Sequence, residues 1–191
     1  MLVQPDHYLL RMLHSYGIPM QALGFHSKIV SEQDIPVETD PKQVWRTFAK
    51  HYFLFLGTPT RTWLDYVFVN VFDIKEVLNE DNADSYYEQI TQALQLDSFK
   101  PRALFEKFNI EVIATTEGPL DDLRHHQTLR DSGWKGKVIT AFRPDNVVDP
   151  EFEGFEENLK QLSELTDTDI SSFSGYLASL QKRRAFFKEM G

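Results

Sequence analysis

Two short β-branched segments of the chain each lead into polar side chains that could bind a small anion. Residues 110–115 lead into Thr116-Glu117, and residues 137–142 lead into Arg143-Pro144-Asp145. In parallel α/β folds, functional side chains gather at the carboxyl ends of strands. An arginine there presents a planar fork that matches a carboxylate or two vicinal oxygens. The alternative is that Arg143 pairs with Glu117 or Asp145 to hold the loops, and position alone favours neither.

Histidines are the other side chains with catalytic or metal-binding potential, and the chain has 6 of them and no cysteine. No two histidines show a metal-ligand spacing supported by a third ligand. His125 and His126 would point about 100° apart on a helix, so both cannot bind one ion, and surface and interface positions without a function are favoured for the pair. His7 and Tyr8 begin the first helix, and adjacent side chains cannot share one face. The simplest expectation there is a packed Tyr8 beside a solvated His7.

Helices are predicted for most of the first hundred residues. Apolar residues recur at helical spacing after Asp6, after Asp40-Pro41 and after Thr58-Pro59, and these polar and proline residues are typical helix starts. The segment after Thr58-Pro59 is rich in valine and phenylalanine, so a strand stays open there. Two more helices are predicted at about 83–96 and from 101 to about 109.

The second half of the chain alternates strands with helices. The strands at 110–115 and 137–142 flank a helix that Asp121 or Asp122 would cap, and helices at about 152–162 and 173–190 follow. This spacing predicts a parallel βαβ unit with a right-handed crossover. Two parallel strands do not form a sheet that stands alone, and nothing before residue 110 indicates a third strand. We therefore expect a slice of a larger α/β protein that carries a helical insertion.

Composition narrows the class of protein. The chain has 191 residues, a net charge of −9 and 13% aromatic residues. The aromatic content argues against disorder, and the missing cysteines exclude a disulfide scaffold and a thiol nucleophile. The acidic charge disfavours nucleic acid, and the basic cluster Lys182-Arg183-Arg184 is interpreted as complementing a helix dipole. With no long apolar stretch and no signal-peptide pattern, we expect a cytoplasmic protein that binds no membrane.

Five segments carry a family resemblance when they are taken in order. They are Asp6-His7-Tyr8 with Arg11 and Gly17-Ile18; Leu56-Gly57-Thr58-Pro59 with Trp63; 108–112 with Thr115, Thr116, Pro119, Asp121, Leu123 and His126; Phe142-Arg143-Pro144-Asp145; and Arg183-Arg184-Ala185-Phe186-Phe187. Together they resemble the uronate (glucuronate) isomerases, metal-dependent barrels of the amidohydrolase superfamily.

The resemblance implies an activity and a set of substrate contacts. Family members interconvert D-glucuronate with D-fructuronate, and D-galacturonate with D-tagaturonate, by proton transfer between C2 and C1 through a cis-enediol. The resemblance implies that His7 and Tyr8 contact the uronate and that Arg143 holds its C6 carboxylate or stabilises enediolate charge. It adds supporting contacts from Arg11, Thr116 and Asp145.

The resemblance also implies a fold, an α/β and predominantly helical part of a (β/α)₈ TIM barrel. Residues 1–17 would include the helix after barrel strand one, 18–108 the helical insertion domain, and 109–191 strands two and three with their helices. In such a barrel His7, Tyr8 and Arg143 would converge on one mouth.

Metal ligands are where the chain departs from the family. The family holds its divalent metal, with zinc as our expectation, through an H-x-H pair after strand one and an Asp after strand eight, and this chain has no H-x-H. We therefore expect an internal piece that binds no metal, holds no catalytic residue and is inactive alone. Two local departures are Glu117-Gly118, where an acidic pair is common, and 61–65, where an H-W-x-H segment is frequent.

Two other functions stay open at this point. The chain could be a non-catalytic helical interaction or oligomerisation module, or part of an amidohydrolase-superfamily hydrolase, although the D-H-Y and R-P-D segments favour the isomerases. Exposed strand edges would favour a homo-oligomer under either interpretation. The expected partner of the whole protein is a small-molecule uronate.

Overall fold

The structure, a computed structural model, describes residues 7–26, 32 and 34–190. The chain divides into two compact units, Met1–Lys100 and Pro101–Gly191. The helix at 101–107 thus groups with the strand-bearing unit. The predicted domain bounds 1–17, 18–108 and 109–191 stay a prediction. The predicted helix cap Asp6 lies outside the described residues.

Helices are the regular elements of the first unit in the part that the structure describes. Its α-helices are α1 (His7–Ser15), α2 (Pro41–Lys50), α3 (Pro59–Phe72) and α4 (Ala83–Ala93), and short 3₁₀ turns occupy Met20–Leu23, Tyr52–Phe55 and Asp97–Phe99. The sequence signals explain where two of these helices begin. Asp40 accepts a hydrogen bond from the Lys42 amide ahead of Pro41, and the Thr58 hydroxyl accepts one from the Arg61 amide ahead of Pro59.

Aromatic side chains dominate the core of the first unit. Its fully buried large residues include Phe48, Tyr52 and Phe55, which contact one another with ring centres 5.6–6.1 Å apart. Burial of each such side chain contributes about 1.5–3 kcal/mol. Trp45 is also buried, and its indole donates a hydrogen bond of 2.8 Å to the Ala83 carbonyl, which fixes α2 against α4.

An ion-pair network on the surface of the first unit makes its stability depend on pH. Arg46 binds Asp84 with both its Nε (2.7 Å) and its Nη2 (2.6 Å), and Lys42 lies 3.6 Å from the same carboxylate. The Arg46 hydrogen bond, with help from Lys42, lowers the pKa of Asp84 from 3.8 to about 2.

We expect the stabilising effect of Asp84 to disappear in acid. Because its pKa is lower in the folded state, the ion pair contributes fully above pH about 4 and is lost as the pH falls through about 2. In thermal melts, Asp84→Asn should therefore lower the melting temperature at pH 5–7, and the gap to the unmodified chain should close between pH 4 and pH 2. An Arg46→Gln background serves as control, because Asp84→Asn should then lose most of its effect. A gap that persists at pH 2 would contradict the assignment.

The second unit combines two strands with helices. In chain order it contains α5 (Pro101–Lys107), β1 (Val112–Glu117), α6 (Arg124–Asp131), β2 (Lys137–Phe142), α7 (Asp145–Val148), α8 (Phe155–Thr166) and α9 (Phe173–Met190). The strands form a parallel two-stranded sheet in which Val112 pairs with Lys137 and Glu117 with Phe142. The predicted parallel unit and the predominantly helical α/β class are thus confirmed. The predicted cap was wrong, because Leu123 occupies the N-cap position of α6 and no side chain caps it. Asp121 and Asp122 lie in the preceding turn, where they accept hydrogen bonds from the Leu123 and Arg124 amides.

The two faces of this sheet differ. On one face, Phe142 meets Phe187 of α9 edge to face at 5.1 Å between ring centres, and Thr115 hydrogen-bonds His126 of α6. Because strand side chains alternate, Thr116 and Ala141 belong to the opposite face, and both are exposed. The helices therefore pack against one side of the sheet and leave the other open.

None of the helices among the described residues is long and apolar enough to cross a membrane.

Candidate functional site

Arg143 stands at the carboxyl end of β2, where the sequence placed it. Its amide donates a 3.0 Å hydrogen bond to the Glu117 carbonyl at the end of β1, so the two strand ends are tied together. Its Nε lies 2.5 Å from Oδ2 of Asp145, and the side chain is about two-thirds exposed (67%). Of the two partners that the sequence allowed, the structure selects Asp145.

The pairing with Asp145 leaves part of the arginine fork available. Asp145 uses the Nε proton, and within the described residues the terminal Nη groups of Arg143 make no hydrogen bond. Pro144 follows directly and fixes the backbone dihedral of the turn into α7. An open groove of about 400 Å³ lies on the α9 side of Pro144, lined by Phe142, Pro144 and residues of α9 but not by Arg143. The arrangement can bind a carboxylate through two parallel N–H donors.

Glu117 is turned away from this fork and toward the helices. The Thr140 hydroxyl donates a hydrogen bond to its Oε2, and His126 Nε2 lies 3.7 Å from its Oε1. The same His126 nitrogen is 2.9 Å from the Thr115 hydroxyl. His126 is consequently not a surface residue, because its side chain is only 9% exposed. This polar cluster anchors the end of β1 under α6.

Thr116 lies on the open face of the sheet, and Arg143 follows the end of β2. Thr116 pairs in register with Ala141, two residues before Arg143, and successive side chains of a strand alternate between faces. In the second unit the structure thus brings Arg143 and Asp145 into contact and places Thr116 opposite Ala141 on the open face of the sheet. That Thr116 joins the same site stays a prediction.

The other three predicted site residues lie on α1 in the first unit. His7 and Tyr8 are both exposed, with ring centres 4.9 Å apart, and the exposed fraction of Tyr8 is 72%. The expectation of a packed Tyr8 was wrong, because Leu9 and Leu10 fill the core positions of this turn. Arg11 is exposed and four residues after His7, so both lie on one face of the helix. That these side chains converge with Arg143 stays a prediction.

Sequence reasoning missed the side chains that hold the loops after β1 and β2. Tyr176 of α9 donates a 2.8 Å hydrogen bond to the Val147 carbonyl, and Asn158 of α8 donates one of 3.0 Å to the Asn146 carbonyl. Arg183, interpreted from the sequence as a dipole-complementing surface charge, is instead buried beneath the loop after β1. Its place beside Phe186 and Phe187 in the sequence was the available signal for burial.

The described residues do not fit a metal centre. No group of three or more histidine, aspartate or glutamate side chains among them could hold an ion. The His126–Glu117 pair lacks a third ligand among the described residues and is engaged by threonine hydroxyls.

Comparison with known proteins identifies the family. The family model described as glucuronate isomerase matches residues 1–191. A uronate isomerase of Mesorhizobium japonicum is 54% identical over 191 residues, and one of Sphingopyxis alaskensis is 51% identical over 195 residues. Each alignment covers all of this chain and 40% of the relative.

Solved structures give the same result. The crystal structure of glucuronate isomerase from Caulobacter crescentus superimposes with a TM-score of 0.86 at 47% identity, and that of uronate isomerase from Thermotoga maritima with a TM-score of 0.81 at 25% identity. Both cover the whole chain and 39% of the solved protein. The chain spans about 40% of the length of the relatives that it matches. On its sequence and its fold, the chain belongs to the glucuronate isomerase family.

Proposed function

We propose that this chain provides part of the uronate-binding site of an enzyme that interconverts D-glucuronate with D-fructuronate and D-galacturonate with D-tagaturonate. The observation that carries the proposal is Arg143, an exposed arginine at a strand end that Asp145 holds through Nε alone. Since the chain spans about 40% of its curated relatives, the activity is assigned to the whole protein and not to these residues alone.

The architecture that we propose for the whole protein is a (β/α)₈ barrel in which β1 and β2 are the second and third strands. Two features support it. The strands are parallel and neighbouring, and their helices lie on one face while small or polar residues such as Ala114, Thr116 and Ala141 stay exposed on the other. A barrel interior would cover that open face.

Within such a site, the residues of this chain would bind and orient the substrate. The two Nη groups of Arg143 would hold the C6 carboxylate, or stabilise the charge of the enediolate as the proton moves between C2 and C1. Asp145 would keep the guanidinium in place, and Thr116 could hydrogen-bond a substrate hydroxyl from the same face. On α1, His7 and Tyr8 would contact the sugar with Arg11 in support.

Catalytic groups and the divalent metal are not assigned to this chain. The family resemblance implies a metal, with zinc as our expectation, but the described residues do not fit one, so the proposed role of this chain contains no step through a metal. We also propose a reducing, cytoplasmic setting because the chain has no cysteine. For this chain by itself a homo-oligomer is also proposed, because its two-stranded sheet has edges that a complete barrel would pair.

The proposal is tested in a chimera with the Caulobacter crescentus glucuronate isomerase, which is 47% identical to this chain over its full length. The chain would replace the matched 39% of that protein, and D-glucuronate isomerisation would be followed by ketose formation. We expect an active chimera. We expect Arg143→Ala to cost about 3 kcal/mol of transition-state binding, or roughly 100-fold in kcat/KM, because two charge-assisted hydrogen bonds are lost.

Lys160→Ala is the matched control. Lys160 is also an exposed cation (70%) in a local ion pair, 3.3 Å from Glu157, but it lies on α8 away from the strand ends. Its removal should leave kcat/KM within about twofold, as is usual for a surface pair. A folded chimera without turnover would favour the non-catalytic module, and an active chimera that tolerates Arg143→Ala would remove Arg143 from the site.

A further inference from the structure

Arg183 is a buried cation that joins α9 to the loop between β1 and α6. Only 8% of the residue is exposed. Its Nε donates a 2.5 Å hydrogen bond to the Pro119 carbonyl, and its Nη2 donates one of 2.7 Å to the Asp121 carbonyl. The guanidinium carbon also lies 4.4 Å from the centre of the Phe186 ring, a cation–π distance.

Burying the charge of Arg183 costs free energy, so a buried arginine at this position needs an explanation beyond filling space. Burial lowers the pKa of Arg183, and the Asp121 carboxylate offsets this only in part. An apolar side chain of similar volume would fill the same space without that cost. An apolar side chain would not bind the carbonyl oxygens of Pro119 and Asp121. Arg183 binds both, and this fixes the path of the loop backbone.

Two short series of contacts connect Arg183 to Arg143. Along the first, Pro119 lies two residues after Glu117, whose carbonyl accepts the 3.0 Å hydrogen bond from the Arg143 amide. Along the second, the Arg183 guanidinium lies 5.8 Å from the ring centre of Phe187, and that ring packs edge to face on Phe142, directly before Arg143. Both series of contacts end at the backbone that carries the Arg143 guanidinium.

We propose that Arg183 is a positioning residue for the substrate-carboxylate site. By holding the Pro119 and Asp121 carbonyls, it fixes the β1–α6 loop and thereby the backbone from which Arg143 presents its guanidinium. The role of Arg143 toward a carboxylate rests on the proposed function, whereas the coupling between Arg183 and the Arg143 backbone does not.

The coupling is tested first in the 191-residue chain by amide hydrogen exchange. Arg183→Met keeps the length of the stem and removes every donor. We expect exchange at the Arg143 amide and across residues 118–123 to accelerate at least about tenfold, while amides inside β2 change by less than about twofold. Arg183→Lys should give an intermediate result and serves if the methionine variant does not fold.

Two control variants on α9 separate positioning from general loss of stability. Ser179→Ala removes a buried hydroxyl that lies 2.7 Å from that of Thr166, and so weakens the contact between α8 and α9 without touching the loop. Lys188→Met changes an exposed cation on the same helix. Neither should expose the Arg143 amide selectively. Equal acceleration in Ser179→Ala and Arg183→Met would overturn the coupling, as would unchanged exchange in both Arg183 variants.

The functional half of the proposal is tested in the active chimera through the split between KM and kcat. An arginine that binds the C6 carboxylate stabilises the bound substrate and the transition state equally. If that arginine is misplaced, KM therefore rises more than kcat falls. We expect Arg183→Met to raise KM for D-glucuronate about tenfold or more, with kcat within about threefold, and Ser179→Ala to change neither. An unchanged KM would refute the positioning role. If the unmodified chimera is inactive, the proposed function fails and the exchange experiment alone decides the coupling.

Discussion

Replacing Gly175 by alanine is expected to destabilise the second unit by about 2–3 kcal/mol, although alanine is the better helix former. In the interior of an exposed helix, glycine to alanine usually gains about 1 kcal/mol. At Gly175 a steric clash destabilises the folded state by more than this gain, as is typical where added volume meets a packed backbone.

The expectation follows from the way α9 begins. A methyl group on Gly175 would clash with the Asp169 carbonyl oxygen and lie 3.1 Å from its carbon. The clashing atoms belong to the backbone and not to a flexible side chain, so the segment before α9 would have to move. That segment is held by the Asp169 carboxylate, which accepts hydrogen bonds from the Ser171 amide and hydroxyl at 2.9 Å each. The hydrogen bonds from Ser171 also lower the pKa of Asp169.

Hydrogen exchange of the α9 amides, or urea unfolding of the chain, would measure the effect. Ser174→Ala is the neighbouring control, because Ser174 is exposed and its removal should change stability by less than about 0.5 kcal/mol. A Gly175→Ala variant as stable as the unmodified chain would show that α9 does not approach Asp169 this closely.

A second large effect is expected in the first unit, where Asp65→Ala should cost about 2–3 kcal/mol. Asp65 is the shared acceptor of a small network. The hydroxyl of fully buried Tyr52 donates to its Oδ1 at 2.9 Å, and Nε of Arg61 donates to its Oδ2 at 2.7 Å. The Arg61 guanidinium also stacks on the Tyr52 ring, 4.1 Å from its centre.

The size of the effect comes from what the substitution leaves behind. The Arg61 side chain is only 13% exposed, so without Asp65 its charge would lack a close ionic partner in a largely dry environment. Breaking a fully buried pair in this way costs about 3–5 kcal/mol, and the partial exposure of Asp65 (43%) reduces that figure. Burial and the Asp65 hydrogen bond raise the pKa of Tyr52 strongly, so its hydroxyl stays a donor.

Glu80→Ala provides the matched comparison. Glu80 is 3.0 Å from Lys50, but both side chains are more than half exposed, so its loss should cost less than about 0.5 kcal/mol. Exchange of the α3 amides would compare the two variants. Tyr52→Phe combined with Asp65→Ala should cost less than the sum of the single changes, because both remove the same hydrogen bond. Additive losses would contradict a shared network.

This network also explains a departure from the family pattern. Residues 61–65 occupy the place where an H-W-x-H segment is frequent in the family, and the sequence alone assigned them no role. In the structure, Arg61 and Asp65 stand one helical turn apart on α3 and close over Tyr52. Only the spacing of four was visible beforehand, because Tyr52 comes from a separate 3₁₀ turn.

Local signals in the sequence located most of the helices and both strands. Proline after a capping residue marked the starts of α2 and α3, and helical spacing of Leu64, Phe68 and Phe72 indicated the buried face of α3. β2 was predicted with its observed bounds, whereas β1 runs from Val112 to Glu117 and not over 110–115, so Thr116 and Glu117 lie inside the strand and not after it. The short helix α7 was missed because its four residues are too few to show a period.

The candidate site was predictable as a set of residue types but not as a set of contacts. The run Arg143-Pro144-Asp145 fixed an arginine, a rigid turn and an acid in adjacent positions, which depends only on the covalent chain. The choice of Asp145 over Glu117 as the partner depended on which face of β1 Glu117 occupies. Strand pairing settled it, because Glu117 pairs with Phe142 and so lies on the face that packs against the helices, where Thr140 and His126 contact its carboxylate.

The sequence by itself determined the family, the acidic and cysteine-free composition, the parallel βαβ order and the arginine at the strand end. These follow from local periodicity and from motifs read in order. Only the tertiary structure decided that Arg183 is buried under the β1–α6 loop, that Gly175 lies against Asp169 and that Tyr8 is exposed. Each of these depends on contacts between residues that are not neighbours in the sequence. The local sequence around a charged residue or a glycine is the same whether the fold buries that residue or leaves it in solvent.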